Sequence, residues 1–205
     1  MIRLVSYIST LFIFLLSAPI VKAVTANEIL STASSKYAKC ESITSSFALI
    51  DNGYSQNGTI TVAGSKFVIS TPQISTWFDG RTQWSYSPSI NEVNISEPTS
   101  EELQQINPFA IINSVQQDYT AKLLTSNKDT HKIQLTPKSS NKTIKNIELS
   151  LNSSTYFPSL IVIYLKNNTK ITINVKHVTK GNALPASTFI FNTSKYPDVE
   201  VIDLR

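Results

Sequence analysis

Few side chains in this 205-residue chain could carry covalent or metal chemistry. It has two histidines, His131 and His177, and one cysteine, Cys40. A metal site needs several His, Cys or carboxylate ligands at short, recurring spacings. Here the histidines lie far apart and neither has a cysteine partner. No G-x-S-x-G elbow, H-E-x-x-H pair or phosphate-binding loop occurs. Glu101-Glu102 is a carboxylate pair in a polar stretch and reads as solvated. Asp79 precedes Gly80, where turn geometry accounts for it better than acid–base work. Cys40 cannot form an intramolecular disulfide, and it stands too far past the apolar leader to be an acylated first residue. It reads as a buried or half-buried thiol without chemistry. The expectation is a protein that is no enzyme and holds no cofactor or metal.

The chemistry left is the burial of hydrocarbon. Apolar residues recur at every second position through much of the chain, as in strands with one greasy face. Ile43, Phe47 and Leu49 alternate with polar neighbours before the turn at Asp51-Asn52-Gly53. Ile60 and Val62 follow in the stretch from Gly58 to Ala63, Gly64-Ser65 turns the chain, and Phe67 and Ile69 continue. Strands are expected at Ile74 to Phe78 and Thr82 to Ser87, joined by a type I′ turn at Asp79-Gly80. Val93 and Ile95 mark another. The second half predicts strands at Tyr119 to Leu124, His131 to Thr136, Ile144 to Leu151, Leu160 to Leu165, Lys170 to Val178 and Ser187 to Phe191. The tail from Tyr196 reads as short and partly charged.

Two segments have helical spacing instead. Thr25 or Asn27 can cap a helix whose Ile29, Leu30, Ala33 and Tyr37 fall on one face. Asn107-Pro108 can start a second, with Phe109, Ile112 and Val115 as its stripe to about Gln116. The pattern predicts an α+β fold: an incomplete, half-open antiparallel β-barrel covered by helices.

The first 23 residues read as a cleaved secretory leader. Arg3 precedes an apolar run, and Val21-Lys22-Ala23 fits the small-residue cleavage pattern. Residues 24–205 then form one exported domain. Losing Arg3 and Lys22 with no acidic residue lowers the formal charge from +4 to +2. Basic residues are scattered rather than clustered, so nucleic acid is excluded as a partner.

Gly58 to Pro98 and the following Asn107-Pro108-Phe109-Ala110-Ile111-Ile112 resemble the periplasmic outer-membrane lipoprotein carrier (LolA-like) family. The order of elements carries the resemblance: a Gly-led strand, a Lys-Phe strand, Thr71-Pro72, the hairpin Asp79-Gly80-Arg81-Thr82-Gln83-Trp84, Tyr86-Ser87-Pro88, a V-x-I strand and a Pro-started helix. Leu135-Thr136-Pro137-Lys138 and the strand from Ile144 extend it over the mature chain. The resemblance implies a periplasmic chaperone, a monomer, that shields the acyl chains of lipoproteins. It would take them from an inner-membrane ABC transporter to an outer-membrane acceptor. Family members carry an Arg-Pro where Gly64-Ser65 stands here, so the arginine that ties the lid shut has no counterpart.

The expected cavity and lid residues are Leu30, Ala33, Tyr37, Phe47, Leu49, Ile60, Val62, Phe67, Ile69, Trp77, Trp84, Tyr86, Val93, Ile95, Phe109, Ile112 and Val115. Other readings are a carrier of another lipidic cargo such as a glycolipid or polyene, a protein-sensing module, and a lipid- or glycan-acting enzyme. The module reading lacks a second domain, and the enzyme lacks a nucleophile or metal set.

Overall fold

The computed structural model describes residues 24–51, 53–100, 102, 103, 107, 115, 117–140 and 143–205. The expected leader lies outside the described residues, as do Phe109 and Ile112 of the second helix.

Helix α1 (Ala26–Ala38) starts where a capping box dictates. The Thr25 hydroxyl accepts the Glu28 N–H at 3.2 Å, and the Glu28 carboxylate accepts the Thr25 N–H at 2.8 Å. Thr25→Ala should cost about 1 kcal/mol. A urea melt checks this as a lower midpoint at unchanged slope. Ala26, Ile29, Leu30, Ala33 and Tyr37 form the buried face of α1.

The strands are β1 (Ser42–Asp51), β2 (Tyr54–Ala63), β3 (Lys66–Ser70), β4 (Ser75–Phe78), β5 (Gln83–Ser87), β6 (Glu92–Ser96), β7 (Tyr119–Ser126), β8 (Thr130–Pro137), β9 (Ile144–Asn152), β10 (Pro158–Leu165), β11 (Lys170–Gly181) and β12 (Glu200–Asp203). They make one sheet in the order β12-β6-β5-β4-β3-β2-β1-β11-β10-β9-β8-β7. Two meanders, β1 to β6 and β7 to β11, join where β1 pairs with β11. The ladders are antiparallel except for β12, which runs parallel to β6. The sheet stays open, with β7 and β12 as its edges.

Gly58 begins the second strand of the expected meander for a steric reason. It sits opposite Phe47. A Cβ there would meet the Phe47 ring at 2.5 Å and the Ser70 carbonyl at 2.8 Å. Only glycine lets the ring lie across the strand.

Three expectations need correction. Asp79-Gly80 is not a two-residue type I′ turn, since Phe78 pairs with Gln83 across a four-residue loop. Only Gly80 there has positive φ, +107°, and the Asp79 carboxylate accepts the N–H groups of Arg81 and Thr82 instead. Ser187 to Phe191 is no strand: Ala186–Phe189 is a 3-10 turn after Pro185. The tail, expected to be merely short and charged, supplies β12. The polar stretch before Asn107 also holds a helical start. Thr99 and Glu102 form a second capping box, and Leu103 N–H reaches the Thr99 carbonyl at 3.0 Å. That cap gives the solvated Glu102 a defined partner, and the hydrogen bonds from Thr99 hold its carboxyl below the usual range.

Candidate functional site

Side chains directly opposite each other in an antiparallel ladder project to the same face. The register therefore sorts the apolar residues into two sets. Starting from β1, Phe47 shares a face with Val175, and Leu49 with Ile173. That face continues through Ile173 to Ile161, Leu149 and Ile133 on β10, β9 and β8. In the other direction Val62 meets Phe67, Ile60 meets Ile69, and Phe67 stacks on Phe78 at 5.2 Å. These residues share one core with Ile29, Leu30, Ala33 and Tyr37 of α1. This is the helix-side face. Leu103 and Val115 join the same core.

At β5 the sense of the sheet inverts. Phe78 is opposite Gln83, and Thr76 is opposite Ser85. Ser85 is opposite Asn94, and Gln83 is opposite Ser96. The helix-side face of β5 and β6 is thus polar. Trp77 pairs with Trp84, Trp84 with Ile95, and Tyr86 with Val93, all on the opposite face. Trp77, Trp84, Tyr86, Val93 and Ile95 therefore do not line the face that carries Phe47 and Phe67. The expected lining placed them there because period-two spacing fixes that residues share a face, not which face it is.

A strap packs on part of this second apolar set, at Trp77 and Tyr86. Residues 182–199 run from the end of β11 to β12. Phe191 sits edge-on to Trp77 at 5.3 Å, lies 5.9 Å from Tyr86 and stacks on Tyr196 at 4.6 Å. Tyr196 approaches Tyr86 at 4.5 Å. Asn91 pins the strap by donating its side-chain N–H to the carbonyls of Pro197 and Asp198. Val93 is 0% exposed beneath it, outside the main core.

Much of the helix-side face is deeply buried. Ile133, Leu135, Ile147, Leu149 and Leu151 are fully buried. The expected site omitted these β8 and β9 residues although they alternate clearly in sequence. Burial pushes the Tyr37 hydroxyl far above its ordinary range, with Cys40 adding to the effect, so it stays neutral. Apolar side chains of this face remain only half-buried at Leu49, Val62, Ala121, Leu123, Ile171 and Val175. They leave apolar surface within reach of a ligand.

The reactive side chains fall elsewhere or are engaged. His131 is 8% exposed, shares a hydrogen bond with Ser126 at 2.8 Å and lies against Tyr156. His177 is exposed at the irregularity where β11 passes β1. The half-buried Cys40 donates its thiol to the Lys36 carbonyl. A cavity of about 620 Å³ opens at the end of α1, where Lys36, Lys39, Glu41 and Lys180 stand beside Cys40 and Phe157, so a ligand there meets charged groups as well as apolar surface. Among the described residues no three His, Cys, Asp or Glu side chains come together.

Residues 16–167 match the model of a family described as outer membrane lipoprotein carrier protein LolA. The chain belongs to this family. No curated protein matches it. Among solved structures, an uncharacterized conserved protein from Thermus thermophilus superposes with a TM-score of 0.60 at 11% identity, covering 87% of this chain and 98% of that one. A DUF1329 family protein from Desulfovibrio piger gives 0.50 at 11% identity, covering 83% and 98%. A LolA superfamily protein from Nitrosomonas europaea gives 0.44 at 16% identity, covering 82% and 99%. The first two show a shared fold. In this LolA family member, Gly64-Ser65 forms a tight hairpin between β2 and β3, with Gly64 at φ +61°. Among the described residues no helix is long and apolar enough to cross a membrane.

Proposed function

We propose that this protein is an exported carrier that shields the acyl chains of lipoproteins against its helix-side face, without reacting with them. One observation supports the reading: an open sheet presents a broad apolar face that shares a core with α1 and stays half-buried at six positions. A chain laid there leaves water at about 0.8 kcal/mol per CH₂. Membership of the LolA family supports the same cargo. The leader-like first 23 residues support a periplasmic location, with an inner-membrane ABC transporter as donor and an outer-membrane acceptor as recipient. The Gly64-Ser65 hairpin, in place of the family's Arg-Pro, favours a second reading in which the cargo is another acylated lipid. A release assay separates them. Spheroplasts making a radiolabelled lipoprotein should yield soluble complex when this protein is added. Label that stays in the membrane at saturating protein excludes lipoproteins as cargo.

A further inference from the structure

The inverted strands β5 and β6 give the helix-side face a polar end. Its apolar part stops at Phe78, which lies directly opposite Gln83. Beyond that line the face carries Thr76, Gln83, Ser85 and Asn94. Thr76 and Gln83 are only 5% and 9% exposed. Their hydrogen bonds are sparse. Gln83 Nε2 donates to Ser85 Oγ at 3.2 Å, and Thr76 Oγ1 lies 3.5 Å from the same oxygen. Gln83 Oε1 is buried and, among the described residues, accepts no hydrogen bond. A buried acceptor left empty costs the fold stability. Such a group in a native structure calls for an explanation, and one explanation is a donor that arrives with a ligand.

We infer that this shelf binds the hydrogen-bond donor at the head of an amphiphilic cargo, an amide N–H or a hydroxyl lying next to the acyl chain. The inference rests on the acyl-carrier reading and names the chemistry that reading leaves open. Hydrocarbon lies on the apolar face up to the Phe67–Phe78 stack, and the head group meets Gln83, Ser85 and Thr76 just past it. A cargo without a donor, such as a pure polyene, leaves Gln83 Oε1 empty and gains nothing from the shelf. Amide donors come from an N-acylated protein terminus, and hydroxyl donors come from a glyceride.

Competition against a bound dansyl-undecanoate probe tests this. The displacers are N-palmitoylglycinamide, monopalmitoylglycerol and methyl palmitate, which share one chain length and differ in their donors. Wild-type protein should prefer one or both donor-bearing ligands over methyl palmitate by about tenfold. The stronger of the two identifies the source of the donor. Gln83→Met keeps the side-chain volume and should cut the preference to within about twofold, with methyl palmitate binding as before. Thr76→Val should cut it in the same direction, so the result does not depend on one variant folding. Equal binding of all three by wild type overturns the inference, as does a preference that survives both substitutions. If none of the three displaces the probe, the acyl-carrier reading falls and takes the inference with it.

Discussion

Replacing Phe191 by alanine is expected to destabilise the fold by about 3–5 kcal/mol, the range for losing a buried phenylalanine, and to leave acyl-chain affinity unchanged. Phe191 is buried and touches Trp77, Tyr86 and Tyr196, which hold the strap to β4 and β5. Deleting its ring opens a gap among aromatic neighbours that cannot collapse onto each other without moving the strap. β12 is the edge strand, is carried by that strap and pairs with β6 alone, so its pairing should weaken together with the cluster. Chemical denaturation gives the stability loss, and Trp77 and Trp84 report it by fluorescence. The affinity of the folded variant for methyl palmitate should match wild type, because the strap and the helix-side face lie on opposite sides of the sheet. A large loss of affinity at full folding would mean that ligand lies under the strap.

Leu49→Glu should give the opposite outcome: an intact fold and a collapse in acyl binding. Leu49 lies on the helix-side face, opposite Gln56 and Ile173, and is half-buried. A carboxylate at this position can reach water in the free protein, so the fold tolerates it. With a chain bound, the leucine contact, worth about 1.5–3 kcal/mol when fully buried, is lost. The carboxylate must also give up its hydration against hydrocarbon. Together these effects predict affinity weaker by about 100-fold or more. Titration with methyl palmitate measures it, and near-UV circular dichroism checks the fold. Affinity within about threefold of wild type would remove Leu49 from the binding surface.

Much of the architecture was readable from residue order. Period-two alternation locates β1 to β6 and β7 to β11, and helical spacing after a cap at Thr25 or Asn27 locates α1; that the cap is Thr25, boxed with Glu28, comes from the structure. Side choice was not readable. Trp84 and Tyr86 alternate in the same way as Phe67 and Ile69, and local spacing is identical on the two faces of a sheet. Only the chain of opposed pairs from Phe67 through Phe78 to Gln83 reveals that the greasy side changes at β5. A signal did exist. Gln83, Ser85, Ser87, Glu92, Asn94 and Ser96 form the polar complement of the same alternation, and they need a solvated or hydrogen-bonding environment. The strand expected at Ser187 to Phe191 fails for a related reason. Phe189 and Phe191 also alternate, but Pro185 precedes a 3-10 turn, and the two rings serve the strap rather than a ladder. Ile133, Leu135, Ile147 and Leu149 alternate as strand residues do, but spacing alone does not say that they share a face with Phe47 and Leu49; the register does.

Photolabelling tests most directly where hydrocarbon sits. A palmitate analogue with a diazirine near its chain end would be bound, irradiated and mapped by peptide mass spectrometry. Insertion should fall on helix-side residues, foremost Leu49, Val62, Ile171 and Val175. Insertion concentrated on Trp77, Trp84, Tyr86 or Val93 would contradict the account, since it would put the chain on the strap side of the sheet.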